Sequence, residues 1–339
     1  MIFDFISPNE CDKLSLMSGS DIQDLIILLN YYFIDYRNDL GLDKDCTFGL
    51  ELEFEKAKFR QIDSFLHKSL FNEPWKIKTD LSLLWGAEIN SPILHDYVED
   101  WNNLKEICDY VCKLGIINKR CGGHIHVGSH VLAKDVKSWF NFILLWSCYE
   151  NIIFRFSSGD YLISRESVLK YAKPMAIQFK EIYDLYKDKC DNTYDLSYYL
   201  TCERHKSVNF AKMFKNMNVD NSFKQDSTIE FRCPNGSLNP IIWQNNVNMF
   251  VKLLYYAKSP YFNRDLILKR MNINSFIYDL DNSYILNVYN DVFIDQALEF
   301  CDLIFNNNLD KINFLRQYFK ELNVSNNSRA FAKARKFTK

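Results

Sequence analysis

The 339 residues carry 41 Lys plus Arg against 43 Asp plus Glu, a formal charge of −2, and 47% of them are hydrophobic. That much apolar material supplies a core and excludes a disordered chain, while the near-neutral balance gives no overall field to draw nucleic acid or an anionic membrane surface. Ten Gly and seven Pro are too few for a linker-rich or collagen-like chain.

The opening MIFDFISPNE puts Asp4 and Pro8 where a signal peptide needs a basic start and a long apolar stretch, so secretion is not expected. The strongest apolar run, Phe142 to Trp146, is five residues long, where a membrane span needs about 20. The sequence reads as a soluble, cytoplasmic protein. Its ten cysteines are scattered without a C-x-x-C pair, several inside helical apolar patterns, as reduced and buried thiols would be.

In chain order, Ser20 and Gln23 fit a capping box for a helix over 20–40, with Leu25, Ile26, Leu29, Phe33 and Tyr36 on its apolar face. A strand follows at 48–55 and another at 85–90. Asp100 is placed to cap a helix whose Trp101, Leu104, Ile107, Cys108 and Val111 recur every three or four residues, ending at Gly115. A strand at 123–128 precedes a helix over 134–154, and a strand at 228–233 is followed by helical patterns near 244–257, 294–306 and 310–322. From Ser325 the chain carries Arg329, Lys333, Arg335, Lys336 and Lys339 without an acid and reads as a solvated end rather than a nucleic-acid arm. No repeat or low-complexity linker appears. The class is α+β, with a helical N-terminal extension (1–45), a catalytic-size domain (46–260), a helical C-terminal region (261–324) and the basic tail (325–339).

Strand alternation carries the chemistry. In Phe48-Gly-Leu-Glu-Leu-Glu-Phe-Glu55, Glu51, Glu53 and Glu55 share one face, with Leu50, Leu52 and Phe54 opposite. In Cys121-Gly-Gly-His-Ile-His-Val-Gly128, His124 and His126 share a face between glycines that admit close approach. Glu88 and Asn90 point together in the strand that ends at Pro92, as do Glu230 and Arg232 in Thr228-Ile-Glu-Phe-Arg-Cys233. Each has an ordinary explanation alone: a solvated acidic edge, a satisfied core histidine, a cross-strand ion pair. Four such strands in one sheet would instead give an apolar back and a concave front crowded with carboxylates, which needs cations. Oxygen donors with one or two imidazoles suit Mg²⁺ or Mn²⁺, and the four close Cys or His ligands of a structural zinc site are absent. Arg232 among these acids implies a still more anionic ligand, for which a metal-bound nucleoside triphosphate is the natural candidate. No Walker loop, kinase glycine loop or G-x-G-x-x-G occurs.

These residues bring a family into view. Gly49-Leu-Glu-Leu-Glu-Phe54 resembles the G-x-E-x-E-F strand of the glutamine synthetase and glutamate–cysteine ligase superfamily. Ala87-Glu-Ile-Asn-Ser-Pro92 is similar to its E-x-x-S-P segment, Gly122-Gly-His-Ile-His-Val-Gly128 to its G-x-H-x-H motif, and Ile229-Glu-Phe-Arg232 to its E-F-R strand. The ordered set, spanning 48–240, resembles the amidoligase branch of these carboxylate–amine ligases. The resemblance implies a curved, mainly antiparallel sheet of the glutamine synthetase catalytic type around ATP and Mg²⁺ or Mn²⁺. It implies Glu51, Glu53, Glu88, His124 and Glu230 as metal ligands, His126 near the nucleotide phosphates or the developing acyl phosphate, and Arg232 against phosphoryl charge. Arg204 and Asn209 lie in a partly matching segment and are set beside the phosphates or substrate, Asn90 beside the nucleotide, while Glu55 falls beyond the motif. The activity implied is ATP-dependent amide formation between a small-molecule or peptide carboxylate and an amine. Phosphoryl transfer of the guanidino-kinase type, or a non-catalytic nucleotide- or metal-binding module, are the alternatives.

Overall fold

A computed structural model of the chain describes residues 13–31, 34–68, 71, 73–132, 134–159, 165, 168–200, 205–215, 224, 226–274, 288, 290–320 and 322. Among these, β1 (Phe48–Phe54), β2 (Lys76–Thr79), β3 (Ala87–Asn90), β4 (Gly123–Gly128), β5 (Val208–Asn209) and β6 (Thr228–Phe231) form one antiparallel sheet in the order β2-β3-β1-β4-β6-β5. The fold is therefore mixed α+β. Alternating apolar residues supply its back: Leu50, Leu52, Phe54, Ile89, Ile125, Val127, Ile229 and Phe231 are all buried. Each such side chain contributes roughly 1.5–3 kcal/mol by leaving water.

The helices are α1 (Gly19–Tyr31), α2 (Phe59–Lys68), α3 (Val98–Val111), α4 (Val136–Ser157), α5 (Val168–Tyr171), α6 (Ala176–Tyr186), α7 (Thr193–Ser197), α8 (Ala211–Lys215), α9 (Pro240–Lys258), α10 (Arg264–Asn274), α11 (Ile294–Ile304) and α12 (Asn308–Tyr318). Three of them pack the sheet's back through aromatic rings. Phe231 stacks on Phe250 of α9 at 4.1 Å and on Trp146 of α4 at 5.8 Å, and Phe48 on Trp101 of α3 at 5.0 Å. Helix α4 is apolar nearly all round because other helices cover the sides that the sheet does not; Asp135 caps it by accepting from Ser138 N at 2.9 Å. The first described residues lie against α11, since Asp302 accepts from the amides of Leu14 and Ser15, and Arg155 of α4 donates to the carbonyls of Tyr318 and Lys320. Cys46, Cys108, Cys121, Cys148, Cys190, Cys233 and Cys301 are buried thiols outside any disulfide among the described residues, while Cys112 is exposed.

Several boundaries differ from expectation. The first helix is described over Gly19–Tyr31 and, with Tyr32 and Phe33 outside the described residues, the chain is no longer helical from Ile34, short of the expected 40. There tertiary acceptors take the amides, Leu40 N and Leu42 N donating to the Asp96 carboxylate and Arg37 N to Gln244 Oε1. Its cap is Ser18, whose Oγ accepts from Asp21 N at 3.2 Å, not Ser20. Helix α3 begins at Val98, so Asp100 sits in its first turn and accepts from His95 N at 2.8 Å. The strand expected from Trp85 begins at Ala87, and the one expected to reach Cys233 ends at Phe231, after which Arg165 Nη1 takes the carbonyls of Arg232 and Pro234. Elements α2, β2, α6 and α10 were not expected. Strand β2, Lys-Ile-Lys-Thr, is a short exposed edge with one apolar residue and too little alternation to read. Arg204 and the basic tail lie outside the described residues. No helix among the described residues is long and apolar enough to cross a membrane.

Candidate active site

Register decides which polar side chains meet on the front of the sheet. Strand β1 sets Glu51 opposite His124 and Gly49 opposite His126 on β4, and Glu51 opposite Asn90 and Glu53 opposite Glu88 on β3. Strand β4 sets His126 opposite Glu230 on β6, and β5 sets Asn209 opposite the same glutamate. Directly opposed residues share a face, so the six expected Glu and His residues other than Glu55 converge.

Glu51 is the hub. Its Oε2 lies 2.7 Å from His124 Nδ1 and its Oε1 3.0 Å from His126 Nε2. His124 Nδ1 also stands 3.6 Å from Glu230 Oε1, and its Nε2 3.6 Å from Glu53 Oε1. Arg232 Nη1 donates to Glu230 Oε1, Arg232 Nε to the Tyr171 carbonyl at 3.1 Å, and Asn209 Nδ2 to Glu230 Oε2 at 2.7 Å. Glu88 is held by Asn90 Nδ2 at 2.7 Å and Lys78 Nζ at 2.8 Å. Asn90 itself does not line the cleft. Glu55 is turned away. It receives Arg120 Nε at 2.6 Å and Nη2 at 2.7 Å, Asn118 Nδ2 at 2.6 Å and Leu84 N at 2.9 Å, which ties two loops to the end of β1.

These contacts set the charge states. Burial pushes the Glu51 carboxyl up, but hydrogen bonds and charge from His124 and His126 overcome it and hold it well below the usual carboxylate range. Glu230 is likewise opposed by burial and lowered by His126, His124 and Arg232. Glu88 goes the other way, raised by burial and by the charge of Glu51 against the pull of Lys78. Burial disfavours a protonated His124, yet the bond to Glu51 and the charges of Glu53 and Glu230 raise its pKa.

The acids form the floor of a cleft of about 810 Å³. Its wall also carries residues that the sequence reading missed: Lys78, Lys170, His205 and Lys212, which are exposed, Asp80, which is half-buried, and Arg165, which is buried. Lys78 and Asp80 come from β2 and its exit, a stretch too short to show its alternation, and the others come from segments without periodicity. Lysine side chains at the rim are half exposed (58% for Lys78, 55% for Lys212), against 5–7% for Glu53, Glu88 and Glu230 on the floor. An anionic floor therefore lies beneath a cationic mouth.

A family model described as "Putative amidoligase enzyme" matches residues 69–254, more than half of the chain. The chain belongs to the amidoligase family. No curated protein matches it. The amidoligase match runs from just before β2 into α9 and takes in Glu88, His124, His126, Asn209, Glu230 and Arg232. Glu51 and Glu53 lie upstream of the match and join the cleft because β1 pairs between β3 and β4.

The donor set of the cleft fits a hard divalent cation. Three groups each bring ligand atoms within 4.8 Å of one another: Glu51 with His126 and Glu230, Glu51 with Glu88 and His124, and Glu53 with Asp80 and Glu88. Within them His124 Nε2 is buried and makes no hydrogen bond, which is costly for a polar atom unless a ligand supplies what is missing. Carboxylates with imidazole match Mg²⁺ or Mn²⁺ better than softer metals.

Proposed function

We propose that this protein is an ATP- and Mg²⁺-dependent carboxylate–amine ligase that forms an amide through an acyl phosphate, on a sheet of the glutamine synthetase catalytic type. The observation that carries the reading is the opposition of charge within one cleft: a buried floor where Glu51 meets His124 and His126, and a wall that carries Arg232 beside Glu230 and the exposed Lys78, Lys170 and Lys212. The floor alone would repel a nucleotide, and the rim alone would bind any anion. Together they suit a polyphosphate carried with divalent metal.

Glu51, Glu53, Glu88, His124 and Glu230 would hold Mg²⁺ or Mn²⁺, whose charge offsets that of the phosphates as the phosphoryl group moves. Arg232 is fixed at two points, by Glu230 and by the Tyr171 carbonyl, so its guanidinium is pre-set for phosphoryl oxygens. His126 is held at both ring nitrogens, by Glu51 and by Thr228 Oγ1 at 3.3 Å, which fixes its ring beside the reacting phosphate. Asn209 and Asn90 orient floor carboxylates next to the nucleotide. A substrate carboxylate oxygen attacks the γ-phosphorus and ADP leaves; the amine then attacks the acyl carbon, gives up a proton and expels inorganic phosphate. Carboxylates are poor electrophiles at neutral pH, so activation is what ATP provides, and the protein contributes positioning and charge.

The test is to supply purified protein with MgATP and pairs of candidate acids and amines. ADP and phosphate release that requires both partners and matches the amide formed is the expected result. Release indifferent to the amine, or a stable phosphorylated acceptor, would reject ligation.

A further inference from the structure

The loop joining β2 to β3 has two faces. Asp80 and Ser82 line the cleft, whereas Leu81, Leu84 and Trp85 face solvent, Leu81 completely and Trp85 by 85%. A slack loop can expose apolar groups by accident, but this one is fastened. Ser82 N donates to Asp80 Oδ1 at 2.7 Å, Leu83 is buried, Leu84 N donates to Glu55 Oε1 at 2.9 Å, and the Trp85 carbonyl accepts from Ala57 N at 3.0 Å. Trp85 sits at φ 53°, a left-handed backbone that a bulky side chain adopts only under constraint. Gly86 closes the loop so tightly that a Cβ there would fall 2.3 Å from Leu83 Cβ. A rigid, strained display of one Trp and two Leu beside a catalytic cleft adds nothing to the core, and exposed apolar groups clustered in this way mark contact sites.

The strand leading into the loop adds a second observation. Strand β2 is an outer strand of the sheet, with no strand on its far side among the described residues, and Lys76, Lys78 and Thr79 are exposed. A short, lysine-bearing edge discourages self-pairing of sheets, while its unpaired backbone, followed by large apolar side chains, remains a surface on which an extended acidic polypeptide can add as a strand. Lys76, exposed beside the Lys78–Glu88 pair, complements an acidic segment. A free amino acid would be swallowed by the cleft and leave Leu81, Leu84 and Trp85 untouched.

We propose that β2 and the 80–85 loop form the docking platform for a polypeptide substrate. An extended acidic segment with apolar neighbours lies along β2 and over Leu81, Leu84 and Trp85, sending a carboxylate side chain past Lys78 into the cleft. Which group reacts rests on the ligase reading; docking is measurable without it.

The probe is a short fluorescein-labelled peptide with a central glutamate flanked by leucine and phenylalanine, compared by anisotropy with the same peptide carrying serine at the flanks. The wild-type protein should bind the apolar peptide about ten-fold more tightly. The double variant Leu81→Ser, Trp85→Gly should lose that preference while keeping MgATP binding and its melting temperature, since glycine relieves the φ of position 85. Equal affinity for the two peptides in the wild type, or a preference that survives the double variant, overturns the proposal. So does a wild-type dimer that the variant converts to monomer, which would make the platform a self-association surface. Peptide docking without any MgATP binding in the wild type would leave the platform standing and remove the ligase reading instead.

Discussion

Glu51 and His124 stand directly opposite one another in the β1–β4 register, and their side chains meet with 2.7 Å between Glu51 Oε2 and His124 Nδ1. The other oxygen of the same carboxylate lies 3.0 Å from His126 Nε2. One glutamate thus spans both histidines of the His-x-His strand and sits between the Glu88 and Glu230 sides of the floor, so its loss should be felt by the whole site.

Glu51→Gln should lower ATP turnover by about 10²-fold or more, the scale of losing a pre-set charged group from a polar active site. The fold should survive, because removing one charge relieves the repulsion that raises Glu88, and the melting temperature should move by only a few degrees, about 1 kcal/mol. Turnover assays and thermal melts on one preparation check both. An unfolded variant would show that Glu51 is structural.

Stability of the metal-free protein should fall at both ends of the pH scale. Glu51 and Glu230 are lowered from the ordinary 4.5, so their contribution is complete above that value and is lost as pH falls through the folded-state values. His124 is raised from 6.5, so its contribution is complete below that value and is lost as pH rises through the folded-state one. Melts across the range should show a decline above pH 6.5 that Glu51→Gln flattens. Mn²⁺ affinity, which needs unprotonated imidazole, should rise with pH in calorimetry.

Arg120→Ala should destabilise the protein by about 2 kcal/mol, between an exposed pair and a buried one, because it strands the buried Glu55 carboxylate. Hydrogen bonds from Arg120, against burial and with help from Leu84 N and Asn118, hold that carboxyl at about 2. In the wild type this contribution is present above 4.5 and lost towards pH 2. Urea unfolding at neutral pH and in that acid window should show the difference between wild type and variant shrinking as pH falls.

Gly123→Ala and Gly49→Ala should separate two glycines of the central strands. A Cβ on Gly123 would meet the Trp243 ring at 2.7 Å and the Asn235 carbonyl at 3.0 Å, so strain of about 1–3 kcal/mol is expected. On Gly49 the nearest atom is Ser91 Oγ at 3.6 Å, ordinary contact, and the change should be within about 0.5 kcal/mol. Denaturant midpoints measure both.

Alternation along single strands already told which residues would share a face: Glu51 with Glu53, His124 with His126, and Glu230 two residues from Arg232. That information is covalent, because successive side chains of an extended chain must point oppositely. The apolar periodicity of α3, α4, α9, α11 and α12 was local in the same sense. Strand order was not, since hydrogen bonding between distant segments chose to seat β1 between β3 and β4 and so made Glu51 the hub. Nor could the chain alone show that Asp96 and Gln244 would take the amides of Arg37, Leu40 and Leu42, or that Glu55 would turn to Arg120. Lys170 and Lys212 reach the cleft mouth from segments with no periodic signal, and an exposed Trp85 on a pinned loop has no signature before the loop closes. The sequence by itself determined the chemistry of the sheet's front face. Tertiary pairing decided which of those groups meet, and which cations and apolar side chains stand around them, because those choices depend on contacts between residues far apart in the chain.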